Sequence, residues 1–208
     1  MTDPYIATTL IAPYLSQLAS PAPTPGGGSG SAAVGAIGAA LVEMVINVTL
    51  RSAKEDDEQN RLHDELKVAN DARIRFIELG TADERAYNGF RVALALPKST
   101  DDEKSARRAA LESATIASAK APLETAILAV SILRRLPDVA AISSPHMRSD
   151  LGTAAHLLAA SGRGAIVMVD TNLAILKNRD ELAGLKSARD SAEDGVETAL
   201  DASLKALD

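Results

Sequence analysis

Apolar residues recur at intervals of three and four along most of this chain, which is the spacing of one face of an α-helix. Residues 32–50 are almost entirely small and aliphatic, so we expect one buried helix there. Val167-Met168-Val169 has strand propensity, but no nearby segment would pair with it. The segments with helical spacing are residues 5–20, 32–50, 52–80, 81–96, 99–120, 123–136, 148–160, 164–176 and 180–207. This pattern predicts a single all-α domain over residues 1–208, a multi-helix bundle with a long central helix.

Two stripes of residues run along the central segment. Aliphatic residues form one stripe: Val34, Ile37, Leu41, Val45 and Val48. Small residues form the other: Gly28, Ala32, Gly35 and Ala39. A row of small side chains lets a second helix approach closely, so we expect tight helix packing along this second stripe.

Proline and glycine mark the places where the helical segments are expected to break. Pro97 ends a helix, and Pro122 is expected to kink a helix or start a new one. Gly80 either caps a helix or is absorbed in one, and Ser161-Gly162-Arg163 is expected to separate two helices. The sequence Ser-Thr-Asp-Asp-Glu at residues 99–103 is typical of a helix start, with a cap followed by acidic residues.

A turn rich in proline and glycine precedes the central helix: residues 21–31 read Pro-Ala-Pro-Thr-Pro-Gly-Gly-Gly-Ser-Gly-Ser. Such a turn can present the free N–H groups of the following helix to a ligand. One alternative is a flexible Gly-Ser linker, which would be sensitive to protease. Another is a dinucleotide loop, since residues 28–33 satisfy G-x-G-x-x-A. The lack of a preceding strand argues against the loop, and the packed helix that follows argues against the linker.

Composition narrows the class of protein further. Hydrophobic residues make up 46% of the chain and aromatic residues only 2%, so small and aliphatic side chains must build the interior. A net charge of -6 argues against a nucleic-acid binder, which needs a basic face. The apolar run at 26–50 contains Glu43 and Asn47 and is interpreted as a core helix, not a membrane span. The start of the chain lacks a basic leader, so a cytoplasmic protein is expected.

Metal and thiol chemistry have little support in the sequence. The chain has no cysteine, which excludes disulfides and thiolate ligands. Its three histidines, His63, His146 and His156, belong to no metal-binding motif. We therefore expect neither a metal nor a cofactor.

A few polar residues stand out as candidates for chemistry. Asp83 and Tyr87 are four residues apart and share a helical face with apolar neighbours, where a carboxylate is costly unless it is paired. Asn172 lies in an apolar helix and would need hydrogen-bond partners if buried. Asp150 has an ordinary alternative role as a helix cap, and Ser29 is interpreted structurally as the cap of the central helix.

The Pro-Thr-Pro-Gly-Gly-Gly-Ser block at residues 23–29, followed by Ala-Ile-Gly-Ala-Ala-Leu-Val-Glu-Met-Val at 36–45, resembles the signature of the cyclodeaminase/cyclohydrolase family. Weaker matches follow in the family's order: Asp83 with Tyr87, Pro97-Lys98, Ala121-Pro122-Leu123-Glu124, Ser149-Asp150-Leu151-Gly152, and Gly164-Ala165 with Val169 and Asn172. The resemblance implies an all-α homodimer with a folate site near the subunit interface. For a chain without a transferase domain, it implies a methenyltetrahydrofolate cyclohydrolase, with formimidoyltetrahydrofolate cyclodeaminase as the alternative.

The resemblance also implies roles for individual residues. Asp83 is expected to be the acid/base or cation-stabilising group, assisted by Tyr87. Lys98 is expected to attract the glutamate tail of the folate, and Asp150 to bind pterin N–H groups. The backbone at 26–29 is expected to hold the carboxylate of that tail or a bound water. The substrate-binding residues implied in this way are Thr24, Gly26, Gly27, Gly28, Ser29, Lys98, Asp150 and Asn172.

Two departures from the family pattern bear on these roles. Arg51-Ser52-Ala53-Lys54-Glu55 stands where the family often has a Lys-rich segment, and Met168 stands where it commonly has Asn. A rival of a different class is a non-catalytic helical dimer that binds folate without turnover.

Overall fold

The computed structural model describes residues 11–208, which fold into α-helices and one short 3₁₀ turn at Pro145–Met147. The helices are α1 (Ile11–Leu18), α2 (Gly27–Leu50), α3 (Asp56–Leu94), α4 (Asp101–Leu133), α5 (Leu136–Ile142), α6 (Arg148–Leu173) and α7 (Arg179–Lys205). These described residues contain no strand, so the predicted all-α bundle is confirmed. The first half of the helix predicted at 5–20 lies outside the described residues.

Helix α2 lies at the centre of the bundle, packed between α3 and α6, while α4 also packs on α3 and α6 and α7 covers α4 and α6. Its small residues face these neighbours. A Cβ added at Gly35 would lie 2.5 Å from the ring of Phe76, and one added at Gly38 would lie 2.9 Å from Leu158. The small stripe therefore sets how closely the helices approach, as the sequence predicted.

The aliphatic stripe of α2 behaves differently from the small one. Val45 is buried, but Ile37 and Val48 are 42% and 37% exposed. Two aliphatic residues of the adjacent helix α3, Ile74 and Ile77, are exposed as well. The interpretation of α2 as a wholly buried helix is therefore wrong, and the pair formed by α2 and α3 presents aliphatic side chains to the outside.

Gly80 is absorbed in a helix, which is one of its two predicted alternatives, whereas no new helix starts at Pro122 and residues 161–163 do not separate two helices. Gly80 lies within α3 and packs on Ser29 and Ala32 of α2, and Pro122 lies within α4. Ser161 and Gly162 lie within α6, where Ser161 donates to the carbonyl of Ser31 at 2.7 Å. In two of these cases the small residues are points of close helix contact, and this packing outweighs their low helix propensity. The predicted helix start at 99–103 is confirmed, with Thr100 and Glu103 forming a capping box.

Helix α2 and the stretch Asp101–Ile142 are long and apolar enough to cross a membrane, judged by length and composition alone. Buried core helices pass the same test. In this bundle Ala39, Val45 and Ile46 of α2 and Ala126 and Leu133 of α4 are buried against other helices. The core that both stretches form therefore accounts for much of their apolar character, and the exposed aliphatic residues of α2 for a further part.

Candidate active site

A pocket of about 240 Å³ lies where the turn before α2 meets the C-terminal third of α3, the middle of α4 and the end of α6. It is lined by Pro23, Thr24, Gly26, Gly27, Asp83, Tyr87, Ser118, Met168, Thr171 and Asn172. Six of these ten residues were predicted from the sequence as catalytic or substrate-binding residues: Thr24, Gly26, Gly27, Asp83, Tyr87 and Asn172. Four stretches of chain that are distant in sequence thus meet around one carboxyl group.

Asp83 projects from α3 against the first turn of α2. Its carboxylate lies so close to Gly28 that a Cβ at that glycine would overlap it. Burial raises the pKa of Asp83, the backbone N–H of Ser29 acts in the opposite direction, and the negative charge of Glu84 raises the pKa further. Asp83 is therefore suited to take up and release a proton closer to neutral pH than an exposed aspartate would.

Ser29 is not the cap of α2, so that prediction is wrong. The helix begins at Gly27 with Gly26 as its N-cap residue, which places Ser29 inside the first turn. The Ser29 side chain is buried, and its Oγ donates to Oε1 of Glu84 at 2.8 Å. Because that bond uses its one hydroxyl proton, the Tyr14 hydroxyl 3.0 Å away donates to Ser29 Oγ. Ser29 consequently links α1, α2 and α3.

The Gly-Ser segment that begins at Gly27 is helical, so the flexible-linker alternative is wrong. The expectation that its free N–H groups face a ligand needs a correction in one respect. The carboxylate of Asp83, a residue of the protein itself, lies against this first turn at Gly28. Gly26 and Gly27 still border the pocket, and the peptide bond between Thr24 and Pro25 that leads into them is cis.

Asn172 closes the pocket from α6 and is held by two backbone carbonyls. Its Nδ2 donates to Ser118 O at 3.1 Å and to Met168 O at 2.8 Å. The Ser118 carbonyl is free to accept because Pro122, four residues later, has no N–H. The predicted need of Asn172 for partners is thus met, and among residues 11–208 its Oδ1 has no protein donor.

Ser118 is a lining residue that the sequence analysis missed. It is only 8% exposed, and its hydroxyl has no hydrogen-bond partner. The other buried hydroxyls of α4, on Thr115 and Thr125, each donate to the carbonyl four residues earlier. The one sequence signal was its position four residues before Pro122, which marks a carbonyl that the helix itself leaves free.

Met168 and Thr171 complete the wall formed by α6. A Cβ added at Gly27 would lie 2.9 Å from Met168 Sδ, so the glycine lets the thioether pack on the helix start. Thr171 donates to Val167 O at 3.0 Å, which satisfies its hydroxyl within the helix. At Met168 the wall of the pocket is therefore apolar.

The comparison with known families bears directly on this pocket. A family model described as formiminotransferase-cyclodeaminase matches residues 10–191. The chain belongs to this family. The match spans every residue that lines the pocket, and the resemblance inferred from the sequence is confirmed.

Individual members of the formiminotransferase-cyclodeaminase family align over most of the chain. A methenyltetrahydrofolate cyclohydrolase of Methylorubrum extorquens is 34% identical over 80% of this chain and 80% of its own length. The formimidoyltransferase-cyclodeaminase of Sus scrofa is 31% identical over 77% of this chain, but over only 30% of its own length. A crystal structure of formiminotetrahydrofolate cyclodeaminase from Thermotoga maritima is 24% identical and has a TM-score of 0.84 over 98% of both chains. This last likeness shows a shared fold.

Lys98 and Asp150, two residues to which the family resemblance assigned substrate contacts, lie away from the pocket in this chain. Lys98 is exposed in the connection between α3 and α4. Asp150 lies in the first turn of α6, whereas Asn172 lies in its last turn, so about 33 Å of helix separates them. The N-cap residue of α6 is Met147, so Asp150 is not the helix cap either.

A larger cleft of about 790 Å³ lies on another face of α3, between α3 and α4. Alanines form much of its wall, and its charged residues are Arg75, Arg85, Lys120 and Glu124. Its one carboxylate, Glu124, accepts from Arg75 at 2.6 Å and is therefore engaged in an ion pair. The smaller pocket holds the carboxyl group that is free for proton transfer, so we place the chemistry there. Residues 11–208 contain no cluster of three or more histidine or acidic side chains that could hold a metal ion.

Proposed function

We propose that this chain is a methenyltetrahydrofolate cyclohydrolase, which hydrolyses 5,10-methenyltetrahydrofolate to 10-formyltetrahydrofolate in one-carbon metabolism. The observation that carries the proposal is the half-buried Asp83 carboxyl, whose pKa is raised, in a pocket lined by residues of the family signature. The cyclohydrolase of Methylorubrum extorquens supports the same activity, because it aligns over four fifths of both proteins.

The reaction needs one group that accepts and returns a proton. Water attacks the bridging carbon between nitrogen-5 and nitrogen-10, and Asp83 takes a proton from that water. A tetrahedral adduct forms, in which the former water oxygen is bonded to the carbon. Nitrogen-5 is then protonated by Asp83 as its bond to the carbon breaks, which leaves the formyl group on nitrogen-10. The second proton of the water goes to solvent, so atoms and charge balance.

The other lining residues have positioning roles in this proposal. The Asn172 Oδ1 accepts from an N–H of the substrate, and the N–H groups at Gly26 and Gly27 donate to a polar atom of the substrate or to water. Tyr87 lies one turn after Asp83, is 42% exposed, and assists by hydrogen bonding at the mouth of the pocket. Thr24 borders the turn that fixes the glycines in place.

We also propose that the reaction uses no cofactor. The methenyl bridge is part of a cationic amidinium group, so its carbon is electrophilic before any catalyst acts on it. The enzyme then has to orient water, move protons and hold the flat ring in place. Lys98 and Asp150 retain their proposed roles toward the glutamate tail and the pterin only if a second subunit or the length of the substrate brings them into reach.

A homodimer of single-domain subunits in the cytoplasm completes the proposal, with neither a nucleic acid nor a membrane as partner. The exposed aliphatic residues on α2 and α3 support an interface between copies, since such residues gain from burial. Sedimentation of Ile37→Glu with Ile77→Glu tests this face, and Ile175→Glu serves as the exposed control. A dimer that persists in the first variant would contradict the proposed interface.

Cyclodeaminase activity, in which ammonia is lost as the methenyl compound forms, is the nearest alternative. The relative from Sus scrofa favours it, and the same carboxyl group would protonate the departing ammonia. A folate-binding dimer without turnover is the alternative of another class. The deaminase releases ammonia and the binding protein forms no product, so assays of the purified protein decide between them.

The test is to offer purified protein methenyltetrahydrofolate and, separately, the formimino substrate. We expect loss of methenyl absorbance above the uncatalysed rate and no ammonia release. Asp83→Asn is expected to lower kcat by about 100-fold or more. Asp71→Asn, a surface change on the same helix, should retain turnover. Ammonia release from the formimino substrate would favour the deaminase, and binding without turnover would contradict both enzymes.

A further inference from the structure

The first turn of α2 contacts two carboxylates at once. The carboxylate of Asp83 lies directly against Gly28, and the Oγ of the next residue, Ser29, donates to Glu84 at 2.8 Å. These acidic residues are neighbours on α3, and both face the first turn of α2. The position of that turn relative to Asp83 is therefore coupled to the bond between Ser29 and Glu84.

Glu84 is partly buried, and no cation neutralises it within residues 11–208. Its described partner is the Ser29 hydroxyl, which in turn accepts from Tyr14 at 3.0 Å. Glu84 also borders a second cavity of about 270 Å³, which Tyr14 and Ser29 line as well. Glu84 therefore places a carboxylate beside Asp83 whose described partner is a single hydroxyl group and not a cation.

Glu84 is the charged neighbour of Asp83, because none of the other residues that line the pocket is charged. The turns of α2 and the stretches of α4 and α6 that border the pocket contribute glycines, Ser118, Met168, Thr171 and Asn172, none of which is charged. On α3, the remaining titratable residue of the pocket is Tyr87. From α1, Tyr14 reaches Ser29 and not the pocket.

We propose that Glu84 is a positioning residue for the reaction assigned to Asp83: it anchors the first turn of α2 through Ser29 and places an uncompensated negative charge beside Asp83. The inference rests on the proposed function for its catalytic consequence. The two parts of the role are separable. Glu84→Gln keeps an oxygen that accepts from Ser29 but removes the charge, whereas Ser29→Ala keeps the charge but removes the anchor.

The first experiment needs no substrate. The carboxyl carbon of Asp83 is titrated by NMR in protein labelled at aspartate, with the Asp83→Asn spectrum giving the assignment. Glu84→Gln is expected to lower the titration midpoint of Asp83 by about half a pH unit or more. Asp71→Asn removes the same charge about 18 Å along α3, beyond the screening length, and should leave the midpoint unchanged. An unchanged midpoint in Glu84→Gln would overturn the charge part of the proposal.

The second experiment follows kcat against pH. Since the proposed base must be ionised, the acidic limb of the profile should move to lower pH in Glu84→Gln by the same amount as the midpoint. Ser29→Ala should lower the plateau of kcat about tenfold, and Glu84→Asp, with a shorter side chain, should lower the plateau while keeping the midpoint. If Ser29→Ala and Glu84→Asp both kept the wild-type plateau of kcat, the anchoring part of the proposal would be overturned. If the wild-type protein shows no turnover, the proposed function fails while the NMR result still decides whether Glu84 acts on Asp83.

Discussion

The carboxylate of Asp83 occupies the space beside Gly28 that any side chain at that position would need. Glycine is the residue that most readily adopts a positive φ, and three glycines follow one another at 26–28. Within residues 11–208, however, no glycine has a positive φ, and Gly28 is an ordinary helical residue. The glycine is required for space, because it lets the helix start and the carboxylate come into contact.

The substitution Gly28→Ala should therefore displace Asp83. We expect kcat to fall by about 100-fold or more, since small displacements of a reacting group have effects of that size. The overlap should also destabilise the fold by about 1 to 3 kcal/mol, as extra atoms in a packed site commonly do. Turnover of methenyltetrahydrofolate and denaturation in urea measure the two effects.

Gly30→Ala is the matched control in the same helix. A Cβ there meets only Leu18, at 3.9 Å, so it enters without overlap. Alanine is favoured over glycine in a helix by about 0.5 to 1 kcal/mol, so this variant should be more stable and equally active. If both variants behaved alike, the contact between Gly28 and Asp83 would have no functional weight.

Asp83 should reduce the stability of the fold at neutral pH. Its folded pKa is raised, so the folded state binds more protons than the unfolded state between pH 3.8 and that higher value. The contribution of the protonated Asp83 carboxyl to the free energy of unfolding is complete below pH 3.8. It is lost as the pH rises through the folded pKa. Asp83→Asn should therefore be more stable than the wild type near pH 7, and the difference should shrink toward pH 4. A difference that stayed constant across urea denaturation at several pH values would contradict this expectation.

The periodicity of apolar residues was enough to predict the helices, and spacing was enough to put Asp83 and Tyr87 on one helical face. It left open whether a helix runs through Gly80, and it wrongly predicted a break at Gly162 in α6. Those glycines are accommodated by neighbouring helices: Gly80 packs on Ala32, and a Cβ added at Gly162 would lie 2.7 Å from Val196. Contacts between residues far apart in sequence decided these cases, and a local pattern does not contain them.

The residues of the candidate site show the same division between what a local sequence pattern predicts and what contacts between distant residues decide. Family signature residues led to Thr24, Gly26 and Gly27, whereas Ser118 was missed because its one signal, the proline four residues later, marks its carbonyl and not its hydroxyl. The role of Ser29 was misassigned for a related reason. Its position after a turn is typical of a cap, but its partners, Tyr14 and Glu84, come from other helices.

Ser118→Ala is expected to separate substrate binding from stability. The buried hydroxyl has no partner, and such a group costs about 1 to 3 kcal/mol of stability when left unsatisfied. Its removal should leave the free protein as stable as the wild type or more so. If the substrate supplies the missing partner, KM should rise about 3- to 10-fold, with a smaller change in kcat.

Thr115→Val is the matched control on the same helix. The Thr115 hydroxyl is already satisfied by Leu111 O at 2.8 Å, so its loss should not affect KM. A Ser118→Ala protein that was less stable than the wild type, with an unchanged KM, would show that the hydroxyl has a structural partner and no role in binding.

Pro122 and Asn172 should be energetically coupled through the carbonyl of Ser118. Asn172→Ala alone leaves that buried carbonyl without a donor and should cost about 1 to 3 kcal/mol. Pro122→Ala restores an N–H four residues after Ser118, which can close the ordinary helical bond. In the Pro122→Ala background, Asn172→Ala should therefore cost at least about 0.5 kcal/mol less, as measured in a double-mutant cycle by urea denaturation.

The same cycle, measured by kcat/KM, tests whether Asn172 also binds substrate through its Oδ1. The restored helical bond repairs the fold but supplies no acceptor to the pocket, so the loss of kcat/KM in Asn172→Ala should persist in the double variant. Recovery of kcat/KM together with stability would show that Asn172 acts only by satisfying the carbonyl that Pro122 leaves free. Additive stability changes would instead contradict the coupling itself, because they would mean that the Ser118 carbonyl finds another donor when either residue is replaced.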